Sequence, residues 1–226
     1  MKKFTLILAA LIGLTTLSSC KKKEDEKLPV TTSLELIIRD DIGNIVTDAR
    51  VELYSSKDDW ENITDQIGET QISNDAGVVR FIDLTDIKYY FFVEKHFYNN
   101  VNGSISTTSP LTKNINNIHN VILTCTGILK FTNKSSNPYR VYVNGDFILD
   151  MDGGTSKSLY YIPKGSYTIR VLQLSGYLFT PTDETYNGQL NCAQTMLLTY
   201  PESKGNQVMT FENQQLDTKK SRRNYN

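Results

Sequence analysis

The 226-residue chain is long enough for two small domains, at roughly 100 to 200 residues each. Its 39% hydrophobic and 22% charged residues describe a globular protein, and thirteen tyrosines against one tryptophan bias it towards strands. Formal charge is −1, and removing Lys2 and Lys3 with a leader makes it −3 (22 basic against 25 acidic), which leaves no electrostatic footprint for DNA or RNA.

Lys2 and Lys3 precede an apolar run from Phe4 to Leu17 that is too short for a permanent membrane helix, so residues 1–19 read as a signal peptide. Its end, Leu17-Ser18-Ser19-Cys20, resembles the lipobox of bacterial lipoproteins. That resemblance implies a diacylglyceryl thioether on Cys20, cleavage before it and often acylation of the new amine. Two or three acyl chains, at about 0.8 kcal/mol per buried methylene, would then anchor the protein in a membrane. Residues 20–32, beginning with Lys21-Lys22-Lys23-Glu24-Asp25-Glu26, are too charged to bury a core and read as a tether of up to about 40 Å. The same block resembles the export signals of surface lipoproteins in the Bacteroidota, which implies an outer-membrane anchor with surface display. A plain solvated spacer has equal standing.

A first folded unit is expected over residues 33–125. Leu34, Leu36 and Ile38 alternate with polar residues, Asp41-Ile42-Gly43-Asn44 supplies a turn, and Val51 and Leu53 continue on a second strand. Further strands carry Val79 and Phe81, then Tyr90, Phe92 and Glu94 on one face with Phe91 and Val93 on the other. Short strands with turns between them predict an all-β sandwich. Asp41, Gly43, Val46, Ala49, Val51, Leu53, Thr70, Gly77, Phe81, Leu84, Tyr90 and Val93 resemble the carboxypeptidase regulatory-like and collagen-adhesin repeats, which are transthyretin-like sandwiches. Ile45 replaces a frequent proline of those repeats. The first strand has no lysine, so the internal isopeptide bond of some adhesin repeats should be absent. Asn99 to Asn120 reads as long loops around a weak edge strand before "NVILTC" closes the sheet.

Residues 126–201 predict a second antiparallel sandwich from "GILKFTN", "YRVYVNGDFIL", "SKSLYYIP", "GSYTIRVLQLSGY" and "AQTMLLTYP". Val141 to Gly145 with Ile162 to Ile169 resembles the PEGA-type repeats of bacterial envelope proteins, which implies a spacer or binding role. Residues 202–226 read as a polar tail without structure.

Cys125 and Cys192 precede what read as the first and last strands of the second unit. In such sandwiches these strands often run side by side in parallel, which favours a disulfide in an oxidising envelope, with two separate buried thiols as the alternative. His96 and His119 lack ligand spacing to each other or to a cysteine, so no metal is expected. Asp150-Met151-Asp152-Gly153-Gly154 faintly resembles a calcium loop, but Tyr161 stands where the twelfth-position glutamate belongs. Asp40, Asp41, Asn44 and Asp48 are better read as turn residues than as a cation site. Trp60, between acidic residues in "KDDWENITDQ", suggests a ring exposed on a loop that binds a partner or stacks on a sugar, with a ring closing the end of the core as the alternative.

No residue set supports catalysis and no cofactor is implied. The expected protein is a non-catalytic envelope lipoprotein, held to the membrane by its lipid and meeting an extracellular protein or glycan. Two alternatives stand beside it: a fimbrial or adhesin subunit, and a carbohydrate-binding accessory lipoprotein.

Overall fold

A computed structural model describes residues 31–201 and the backbone of residues 210–213. The expected signal peptide, Cys20, the charged block after it and the basic end of the tail lie outside the described residues.

The protein is all-β. In chain order the first elements are β1 (Ser33–Asp40), β2 (Arg50–Tyr54), α1 (Lys57–Asn62), β3 (Gln71–Ile72), β4 (Val78–Phe81), β5 (Tyr90–Lys95) and β6 (Tyr98–Asn99). Then come β7 (Asn116–Asn133), β8 (Tyr139–Val143), β9 (Asp146–Met151), β10 (Ser156–Pro163), β11 (Gly165–Gln173), β12 (Asp183–Leu190), β13 (Gln194–Tyr200) and β14 (Thr210–Asn213).

The first sandwich sets β4-β1-β7 against β3-β2-β5-β6. β1 runs parallel to the first half of β7, with Ser33 opposite Asn116 and Leu34 opposite Asn117, and antiparallel to β4. β5 lies between β2 and β6, and β6 meets β7 at Thr124 and Cys125. Because strand side chains alternate, Leu34, Leu36 and Ile38 meet Val51, Leu53, Phe91, Val93, Val121 and Leu123 in one core. The other face of β2 and β5 is covered as well. Glu52 is buried there, paired with Arg50, and accepts a 2.5 Å hydrogen bond from the Tyr54 hydroxyl, while Arg50 also reaches Glu94 at 3.0 Å.

The second sandwich sets β10-β7-β13-β14 against β12-β11-β8-β9. Its core holds Leu129, Phe131, Val141, Ile169, Val171, Met196 and Leu198. The Asn144-Gly145 turn joins β8 to β9, with Gly145 at a φ of 94° where a side chain is disfavoured.

β7 serves both units. Its first half pairs with β1 and its second with β10 and β13, so the boundary expected between residues 125 and 126 falls inside a strand. "NVILTC" and "GILKFTN", read as two strands, are one, because residues 125–129 are buried on both sides and need no turn. Eighteen residues at about 3.3 Å each make β7 the axis of a rod roughly 60 Å long. Two further differences concern polar segments. β12 carries only two buried residues, Tyr186 and Leu190, and so lacks a visible apolar pattern. β14 forms from residues expected to be unstructured tail, as an edge strand on β13.

Candidate functional site

Three places carry most of the molecule's chemistry: the joint between the sandwiches and the two ends of the rod.

At the joint, Cys125 in β7 and Cys192 before β13 are joined by a disulfide, with Cα atoms 5.4 Å apart. Parallel pairing of β7 with β13 brings the two residues together. Thr126 bridges the units: its N–H donates to Phe97 O and its carbonyl accepts from Ala193 N, both at 3.0 Å. Gly127 is required by close approach, since a Cβ there would lie 2.5 Å from Gln194 O and 2.9 Å from Leu190 Cδ1. β10 carries a bulge between Leu159 and Ile162, where Tyr161 sits at a φ of 58°. The bulge turns Tyr161 towards the first sandwich. Its ring meets Phe92 edge-on at 5.9 Å and its carbonyl accepts from Asn102 Nδ2 at 2.6 Å. Lys164 Nζ completes the joint at 3.0 Å from Asp41 in the β1–β2 turn.

Trp60 corrects the sequence expectation. Its ring is 1% exposed and packs with Tyr54, Phe92 and Val101, while Nε1 donates to Phe91 O at 3.0 Å. The outer face of β2 and β5 carries the rings of Tyr54 and Phe92 beside the Arg50–Glu52 pair, and α1 covers the aromatic part with Trp60. Ser56 caps that helix, its hydroxyl accepting from Asp59 N at 3.1 Å, and Asp58 and Asp59 favour its positive end. The Ser-x-x-Asp spacing was the signal for this helix. No sugar-stacking surface remains at Trp60.

The other sequence candidates are spent on structure. Desolvation raises the Asp40 carboxyl, but hydrogen bonds from Asn44, Ile42 and Gly43 together outweigh it and hold the group below its usual range. Asp41 pairs with Lys164, and Asp48 lies 3.9 Å from Lys95. Asp150 accepts two hydrogen bonds from Arg140, at 2.7 and 2.8 Å. His96 occupies the β5–β6 turn, whereas His119 is in β7, its Nε2 3.0 Å from Ser104 Oγ and its ring against Phe91. Burial pushes the His119 pKa down and so favours the neutral ring. Among the described residues no three His, Cys, Asp or Glu side chains gather to hold a metal, and no helix is long and apolar enough to cross a membrane.

The rod's two ends differ. At the base, where β1 and β7 begin, a groove of about 420 Å³ opens between the 107–111 loop and β7. Leu34 and Leu111, both buried, lie beneath it, and Pro110, Ile115 and Ile118 share its lining with Thr108, Ser109, Asn116 and His119, so its surface is mixed; Ile118 is 60% exposed. Asn117 fixes its shape, donating to Ser33 O at 3.1 Å and Thr112 O at 2.9 Å. At the tip, the β11–β12 loop presents Tyr177, Leu178 and Phe179, of which Leu178 is 94% and Phe179 93% exposed. The base of that loop is pinned: Gln173 exchanges backbone and side-chain hydrogen bonds with Thr182, and Leu174 N donates to Pro138 O at 2.9 Å. Gly176, at a φ of 78°, leaves room for the Asn137 side chain. Sequence reading passed over "GYLFTP" because an apolar triplet at a strand end looks like core.

No protein-family model and no curated protein matches the chain. Among solved structures, a Streptococcal ancillary pilin aligns at 16% identity with a TM-score of 0.34, over 70% of this chain and 59% of the pilin. The minor pilin of Streptococcus agalactiae aligns at 15% identity and 0.32, over 78% of this chain and 99% of that one. A shaft pilin from Lactobacillus rhamnosus GG aligns at 12% and 0.28, over 68% and 92%. The chain thus spans about three fifths of the first pilin's length.

Proposed function

We propose that this protein is a lipid-anchored envelope subunit of the fimbrial or adhesin type, a non-catalytic rod that holds an apolar tip away from its membrane. The observation that carries the reading is the single strand β7 running through both sandwiches, stapled at their joint by Cys125–Cys192. A strand shared by two cores removes the hinge that a linker would provide, which suits a spacer or assembly subunit better than an enzyme with moving domains.

A lipid anchor at Cys20 would lie at the base of the rod, because the chain enters the fold at Ser33 beside Asn116. On this reading Cys20→Ala moves the protein from the membrane fraction to a soluble or unprocessed form and abolishes palmitate labelling. Amine crosslinking on intact cells tests the assembly role. Species larger than the monomer that contain only this chain or its envelope partners support it, and a strictly monomeric, protease-protected protein refutes it.

A further inference from the structure

We infer that the open edge of β7 at the base of the rod accepts an extended, uncharged segment of an envelope partner chain as an added strand. The inference deepens the subunit reading above, on which it rests, by naming where a neighbour attaches.

Over residues 116–123 β7 has a single ladder partner among the described residues, β1, because β6 joins it at Thr124 and Cys125 and β10 and β13 pair beyond that point. Along a strand the main-chain groups of successive residues point to opposite edges. Ser33 N donates to Ile115 O, so the odd-numbered residues face β1. Thr126 N donates to Phe97 O and Thr126 O accepts from Ala193 N, so the even-numbered residues face the other edge. Asn116, Ile118 and Asn120 each turn one N–H and one C=O to that edge, where no main-chain or side-chain partner meets them among the described residues. Gly103 marks its upper end, since a Cβ there would lie 3.6 Å from Ile122 O. Below it the groove of about 420 Å³ lies beside β7 and leaves room for an incoming main chain.

The other edges are blunted, and this one is not. β10 has a bulge, Lys157 and Pro163, and β9 carries Asp146 and Asp150 opposite a bulge in its pairing with β8. β12 begins with Asp183 and Glu184, β4 is four residues long and carries Arg80, and β3 has two residues. Residues 115–123 contain no Lys, Arg, Asp, Glu or Pro, and Ile118 and Ile122 stand exposed on the outer face. Proteins otherwise protect such an edge, because its free N–H and C=O groups are a template for another chain.

The pattern also selects the occupant. A donor and an acceptor recurring about every 7 Å match an extended main chain, which pairs through its own backbone and needs no particular sequence. A β-branched residue opposite Ile118 adds a favourable cross-strand pair, and the absence of charge on the edge leaves a charged segment uncompensated. Antiparallel pairing of two β7 edges would point two rods in opposite directions, which does not fit a tip held away from one membrane. The donor is therefore a segment of a different chain.

The test follows hydrogen exchange at single amides in the full-length, lipidated protein in detergent, with the peptide acetyl-Thr-Val-Thr-Val-Thr-Val-amide as the probe. In the protein alone the amides of Ile118 and Asn120 exchange fast, while those of Asn117, His119 and Val121, held by β1, are slow. Millimolar peptide slows Ile118 and Asn120 at least about tenfold. A peptide with proline in place of each threonine has lost half its donors and protects less. Asn120→Pro removes a donor on the open edge only, as an edge strand tolerates, and Ile118→Lys places a charge there. Both variants lose the protection by the peptide and keep the wild-type thermal midpoint within a few degrees.

Ile118 and Asn120 amides already slow in the protein alone would show an edge closed by the chain itself and overturn the inference. So would protection by the peptide only at β9, β10 or β12, or none at all. Amine crosslinking on intact cells separates this result from the subunit reading. Assemblies without protection at β7 refute the strand site alone, whereas protection without assemblies upholds the site and refutes the subunit reading.

Discussion

Trp60 shows how one residue's role turns on what covers it. In sequence it sits among Asp58, Asp59 and Glu61 and looks solvated, but one helical turn folds it onto Tyr54 and Phe92. Trp60→Ala should therefore cost about 3 to 5 kcal/mol, the usual loss for emptying so large a site, and lower the thermal midpoint by many degrees. Trp60→Phe should cost far less, because Phe91 O keeps a second donor in Asn100 Nδ2 at 3.0 Å. Wild-type fluorescence should be blue-shifted and resist iodide, and a red-shifted, quenchable spectrum would contradict the burial. The paired aspartates make a different prediction. Hydrogen bonds from Arg140 lower the Asp150 pKa, and those from Arg170 lower that of Asp183, from an ordinary 3.8. Each pair's stabilisation is thus present above the ordinary carboxylate range and lost as pH falls through the lowered value. Asp150→Asn and Asp183→Asn should be less stable than wild type at neutral pH and converge with it in acid melts. The effect should be small, because both pairs are solvent-exposed and screened by salt.

At the scale of elements, β7 decides the architecture, and at its joint Gly127 leaves no room for a side chain. Gly127→Val should destabilise the protein strongly, since even a Cβ collides with backbone at Gln194, and the loss should appear in both sandwiches because they share the strand. Replacing Cys125 and Cys192 together by alanine opens a 67-residue loop, which costs up to about 4 kcal/mol on the chain-entropy model. Chemical melts of this variant should keep one transition if the shared strand couples the units, and show two if the disulfide alone does so. β1 was legible from the sequence because its one buried face, with Leu34, Leu36 and Ile38, leaves a period of two. β12 was not, since a strand needs only hydrogen-bonding neighbours on β11 and can carry polar side chains where its face meets water. The continuity of β7 was hidden for the opposite reason: burial on both sides erases the period.

For the whole molecule, a rod without a hinge predicts one end-to-end distance. Spin labels at Asp86→Cys near the base and Asp152→Cys near the tip should give a single narrow distance distribution. Tyr161→Ala, which removes the bulge contact to Phe92, should broaden it. A broad wild-type distribution would show that the units swing. Composition and periodicity determined by themselves that the chain is all-β and where its strands alternate, because these depend on neighbours along the chain. Only the tertiary structure decided that the two cores share a strand, that Trp60 is internal, and that Leu178 and Phe179 stand at one end of a rod with a groove at the other. Each of these depends on which distant segments pack together, and an apolar residue's own letters do not say whether anything comes to cover it.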